Sequence, residues 1–63
     1  MLLYEVRFES LVDGHKALSF PCDREGRVDM DALTPEIRGE YLYARAMIGR
    51  EYTRPAVHAF EAH

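Results

Sequence analysis

The chain has 63 residues, of which 48% are hydrophobic and 30% are charged, and its formal net charge is −3. This length suits one domain, residues 1–63, and excludes multidomain enzymes, doubly wound nucleotide-binding folds and repeat arrays. The composition is typical of a folded soluble protein, and the negative charge disfavours general binding to nucleic-acid phosphates.

Two segments with alternating polarity predict an antiparallel hairpin. The first strand runs from Leu2 to Phe8, and Asp13-Gly14 provides a tight turn. The second strand runs from Lys16 to Cys22. The predicted inner faces are Leu2, Tyr4, Val6 and Phe8 on the first strand and Leu18, Phe20 and Cys22 on the second. Pro21 cannot donate a ladder hydrogen bond, so we expect it at a strand end or at a sheet edge.

The segment Thr34-Pro35-Glu36 predicts the start of a helix, because it combines an N-cap residue, a proline at the first helical position and a carboxylate near the helix dipole. Gly49 suits a left-handed C-terminal cap. The helix should therefore cover residues 35–48, about 14 residues.

The segments on either side of the helix are shorter. Residues 23–26 predict a turn, and Asp29 or Asp31 should cap a single helical turn before the helix. Ala56 to Phe60 predicts a third strand. Together the elements predict an α+β fold of order β-β-α-β, in which one helix covers one face of a small antiparallel sheet made of the hairpin and the C-terminal strand.

The predicted helix carries apolar residues on two opposite faces. The face for the sheet consists of Ile37, Tyr41, Ala44 and Ile48. The opposite face, named here the outer helix face, consists of Gly39, Leu42, Tyr43 and Ala46. A glycine inside a helix costs about 1 kcal/mol relative to alanine, which favours a close neighbour at Gly39. The outer helix face should therefore contact a second copy or another protein, although scattered apolar residues are also common on surfaces.

The small size of the chain supports self-association. A domain this small buries only about 60% of the surface of its unfolded chain and usually needs a disulfide, a metal or a partner. Cys22 is the only cysteine and the three histidines are scattered, so we expect no disulfide, metal or cofactor. A twofold homodimer is then the simplest assembly.

Arginine and tyrosine alternate along the helix and after it, which gives a second hypothesis. Arg38, Arg45, Arg50 and Arg54, with Tyr43, could contact phosphates and stack bases as single-strand binders do. The intervening glutamates and the acidic chain weigh against this alternative.

Catalytic and metal-binding patterns are weak. A nucleophilic Cys22 would need His15 or His58 as its base, but a lone cysteine in a strand is usually a small buried hydrophobe. The acidic segment from Asp23 to Asp31 lacks the spacing of a calcium loop, and His58 with His63 makes a poor ligand pair. We therefore expect a non-enzymatic protein.

No segment has the basic start and apolar run of a secretory signal or the roughly 20 apolar residues of a membrane span, so we expect a cytoplasmic protein without a membrane partner. Three segments, Phe20–Asp23, Gly26–Asp29 and Tyr41–Tyr52, resemble short uncharacterised proteins encoded in proteobacterial genomes. This resemblance covers most of the chain. It implies a bacterial origin and a shared fold, and it transfers no catalytic or binding residue.

Overall fold

The computed structural model describes residues 1–62, which form three strands and one α-helix. The elements are β1 (Leu2–Glu9), β2 (Ala17–Cys22), a 3-10 turn (Met30–Ala32), α1 (Pro35–Ala46) and β3 (Ala56–Glu61). The order β-β-α-β and the antiparallel sheet confirm the predicted α+β fold.

The sheet has β1 at its centre, in the order β2-β1-β3. Val6 of β1 lies opposite Phe20 of β2 and Val57 of β3. Val6 and Phe20 are buried, as the alternating pattern predicts. Pro21 lies in β2, and β2 forms one edge of the sheet, which confirms the expectation for this proline.

The core lies between α1 and the β1–β2 hairpin and is built around Phe8, which is fully buried. The rings of Phe20, Tyr41 and Tyr52 pack edge-to-face on Phe8, with centroid distances of 5.9, 6.2 and 6.5 Å. Ala44 is also fully buried. A small residue at this position lets α1 lie close to the aromatic cluster.

The helix begins where the sequence predicts and ends two residues early, at Ala46 instead of residue 48. The cause is a tight turn after it, in which the carbonyl of Met47 accepts hydrogen bonds from the N–H groups of Arg50, Glu51 and Tyr52. Gly49 has the positive φ expected of a left-handed residue, 87°. This turn brings Tyr52 back to the core, so the chain leaves the helix before the predicted cap.

One prediction for the inner face of the helix is wrong. Tyr41, Ala44 and Ile48 pack against the core, but Ile37 is 41% exposed. The buried cluster ends at Tyr41, and the first turn of α1 extends beyond it. There Arg38 donates hydrogen bonds to the carbonyl of Met30 at 3.1 Å and to that of Leu33 at 3.4 Å.

The helix packs over β1 and β2, and all six residues of β3 remain exposed. The turn after β2 lies on the side of the sheet that carries the helix, where Gly26 is close to the side chain of Val57. The helix itself covers β1 and β2 and leaves β3 exposed. Within residues 1–62, no helix has the length and apolarity needed to cross a bilayer.

Replacing Thr34 with alanine should lower the free energy of unfolding by about 1 kcal/mol. Its hydroxyl accepts a hydrogen bond from the N–H of Ile37 at 3.2 Å, and alanine leaves that N–H without this partner. Urea denaturation followed by circular dichroism measures the change. Thr34→Ser keeps the cap and should match the wild type, whereas equal losses in both variants would contradict a capping role.

Candidate interaction surface

The outer helix face is accessible along its whole length. Gly39, Leu42, Tyr43 and Ala46 are all exposed, with 49% of Leu42 and 45% of Tyr43 open to solvent. A methyl group placed on Gly39 would meet no atom within 4 Å. The fold itself therefore does not require a glycine at this position, and the face is open except where the turn after the helix packs on Tyr43.

Tyr43 is held in place by the turn that follows the helix. Its hydroxyl donates a hydrogen bond to the carboxylate of Glu51, and its ring packs edge-to-face on Tyr52 at 6.4 Å. This hydrogen bond raises the pKa of Tyr43 above its ordinary value. Because these contacts already fix the exposed ring of Tyr43, its side chain loses little conformational entropy when it binds another surface.

The four arginines of the nucleic-acid hypothesis have different surroundings. Arg38 is half-buried, and the Nε–H and one Nη2–H of its guanidinium donate to the carbonyls of Met30 and Leu33. Arg45 lies over the ring of Tyr41, with its guanidinium carbon 5.7 Å from the ring centroid. Arg50 and Arg54 are exposed. Two of the four guanidinium groups, those of Arg38 and Arg45, are thus engaged within the chain, which weakens the case for a single free cationic surface.

Cys22 lines an open groove of about 370 Å³ at the end of β2. Residues from β2 and the following loop form its walls: Pro21, Cys22, Asp23, Arg27, Val28, Asp29 and Ala32. Burial raises the pKa of the Cys22 thiol, and the charges of Asp23 and Glu5 raise it further. The thiol is therefore protonated at neutral pH, which is the opposite of an activated nucleophile.

Neither histidine considered as a base is placed to activate Cys22. In the sheet register Cys22 is level with Tyr4 and Ala59, whereas His58 is level with Glu5. Neighbouring positions along a strand point to opposite faces, so Cys22 and His58 lie on opposite sides of the sheet. His15 lies in the hairpin loop, at the other end of β2. The cysteine–histidine pairs considered from the sequence do not form a catalytic dyad.

The acidic residues stabilise turns. Asp29 accepts a hydrogen bond from the N–H of Asp31 at 3.0 Å and caps the 3-10 turn. Asp23 accepts from the N–H groups of Arg27 and Glu25, and these bonds lower the pKa of Asp23. Among residues 1–62, no three metal-ligating side chains cluster closely enough to hold an ion, and His63 lies outside the described residues.

The free edge of β3 is a feature that sequence reasoning missed. Its six residues contain no proline and a single acidic residue, Glu61. The absence of proline was visible in the sequence, but the position of β3 at the edge depends on the strand order. A long exposed edge without proline is a typical site for pairing with another strand.

Comparisons with protein-family models, with curated proteins and with solved structures found no match to this chain.

Proposed function

We propose that the protein is a non-enzymatic interaction module that self-associates through the outer helix face. The observation that carries this proposal is the open space beside Gly39, next to the exposed side chains of Leu42 and Tyr43. At a solvent-exposed position inside a helix, alanine gives a more stable helix than glycine. Gly39 therefore lowers the stability of the helix, and no contact within the monomer compensates for this loss.

A second copy suits this surface because its residues follow helical spacing. Gly39, Leu42, Tyr43 and Ala46 lie at positions i, i+3, i+4 and i+7, and therefore form one stripe along α1. The small residues at the two ends allow two helices to approach closely, and the larger residues between them provide the buried apolar area. A twofold axis through the middle of the stripe would bring Gly39 near Ala46 of the second copy.

The proposal includes a cytoplasmic location. Cys22 is free and has no cysteine partner in the chain, and a free thiol of this kind is stable in a reducing compartment. Binding of nucleic acid remains the alternative, and its surface would rest mainly on Arg45, Arg50 and Arg54, because Arg38 is half-buried and bonded to backbone carbonyls.

Ala46→Arg should weaken self-association by at least about tenfold, because a bulky charged side chain where Ala46 approaches Gly39 of the second copy costs on the order of 1.4 kcal/mol or more. Sedimentation equilibrium across micromolar concentrations measures the dissociation constant. Ala17→Arg is the matched control, since Ala17 is an exposed alanine on β2, away from the outer helix face. Unchanged association of the Ala46→Arg variant would contradict the proposed contact.

A further inference from the structure

The two edges of the sheet differ in their protection against further pairing. The N–H of Ser10 donates to the carbonyl of Lys16 at 3.1 Å, so the backbone groups of Lys16 face β1. Hydrogen-bonded positions alternate along an antiparallel ladder, and the backbone groups of Ala17, Ser19 and Pro21 therefore point away from β1, toward the free edge of β2. Pro21 therefore removes an N–H from that free edge. The β3 edge has no proline and no lysine or arginine. It is the unprotected edge of the described sheet.

The backbone groups that β3 presents to solvent follow from its pairing with β1. The N–H of Ala62 donates to the carbonyl of Met1 at 2.9 Å, so residue 62 faces β1. Hydrogen-bonded positions alternate along an antiparallel ladder, and Phe60 and His58 therefore also face β1. The N–H and C=O groups of Val57, Ala59 and Glu61 point away from the sheet and have no strand partner within the described chain.

We propose that β3 of a second copy pairs antiparallel with this edge, so that two three-stranded sheets join into one six-stranded sheet. Residues that lie directly opposite each other in an antiparallel pair have their side chains on the same face of the sheet. A twofold axis perpendicular to the sheet must therefore pass between one residue and the same residue of the second copy. An axis at Ala59 places Val57 opposite Glu61 of the second copy and forms about six backbone hydrogen bonds, whereas an axis one residue away forms about four within the strand.

The side chains of β3 suit pairing with the same strand of a second copy. With the axis at Ala59, the two alanines meet at the centre, where no bulk or charge opposes approach. Phe60, which is 42% exposed, lies opposite His58 of the second copy and gains an aromatic neighbour. The helix packs over β1 and β2 and leaves the edge free. Both helices then lie on the same face of the joined sheet.

This inference goes beyond the proposed function, because the β3 edge and the outer helix face are separate surfaces. A chain that uses both has two different neighbours, so its assembly is larger than a dimer. A chain that uses only one forms a closed dimer through that surface. The two contacts can therefore be tested separately with one substitution in each.

Ala59→Lys should weaken pairing at β3 by at least about tenfold, because the axis places the two lysines directly opposite each other. Ala17→Lys adds the same charge to an exposed alanine on the β2 edge and should associate like the wild type. Sedimentation equilibrium gives the masses, and circular dichroism verifies that both variants are folded. If Ala59→Lys associates as strongly as the wild type, the β3 contact is wrong.

Amide hydrogen exchange measured by NMR tests the register in the unaltered protein. At concentrations where the protein self-associates, the amides of Val57, Ala59 and Glu61 should exchange at least about tenfold more slowly than after dilution to monomer. The amides of His58 and Phe60 bond to β1 and should change little. Fast exchange at the three outward positions in a self-associated sample would overturn the inference.

The outcomes separate the two proposals. Loss of association in Ala59→Lys with an unaffected Ala46→Arg variant supports the β3 contact and contradicts the helix contact, and the reverse result does the opposite. If wild-type assemblies exceed a dimer and each variant reduces them to dimers, both contacts are present. A wild type that stays monomeric at millimolar concentration contradicts both.

Discussion

Phe8→Ala should lower the free energy of unfolding by about 3–5 kcal/mol. A domain of this length has a total stability of about 3–9 kcal/mol, so this one loss removes about a third of it or more. Urea denaturation followed by circular dichroism measures the effect through the midpoint, which should fall sharply or disappear.

The size of the effect follows from the position of Phe8 at the centre of the aromatic cluster. Its ring is fully buried and contacts rings from β2, α1 and the turn after the helix. Alanine leaves a cavity lined by three rigid rings, and rigid walls collapse poorly into a cavity. The variant also loses three edge-to-face interactions, which add to the free energy of simple burial.

Leu2→Ala is the matched control, because Leu2 lies on the same face of β1 but is 55% exposed. This variant should lose less than about 1 kcal/mol, since much of the side chain is already in water. A Phe8→Ala variant whose stability lies within about 1 kcal/mol of the wild type would contradict the central role of the aromatic cluster.

The fold was largely predictable because its signals are local. The alternation from Leu2 to Phe8 has the period of a strand, and Thr34-Pro35 marks a helix start by capping chemistry alone. The helix end was not predictable from Gly49, although this residue does adopt a positive φ. The helix ends earlier because Tyr52 must reach Phe8, and that contact joins residues distant in sequence.

The candidate surfaces also divide into features that local sequence patterns predict and features that depend on contacts between distant residues. The outer helix face follows from helical periodicity, and the structure finds all of its residues exposed. The engagement of Arg38 with Met30 and Leu33 depends on how a loop folds back on the helix, so periodicity could not indicate it. The free edge of β3 depends on the strand order, because the same strand placed at the centre of the sheet would have no free edge.

Gly26→Ala should destabilise the protein by about 2–5 kcal/mol, for two separable reasons. Gly26 has a φ of 89°, where a side chain costs about 1–2 kcal/mol. In addition, a Cβ at this position would lie 2.9 Å from Cγ2 of Val57, and valine is stiff because it is branched at Cβ. The resulting overpacking costs about 1–3 kcal/mol more.

Gly49→Ala separates the two contributions, because Gly49 has a similar φ of 87° but open space where the Cβ would lie. It should lose only the backbone contribution, about 1–2 kcal/mol. The double variant Gly26→Ala with Val57→Ala should recover the steric part of the loss, which a double-mutant cycle isolates as a favourable coupling. Equal losses for Gly26→Ala and Gly49→Ala, with no coupling to Val57, would show that the turn after β2 does not press on β3.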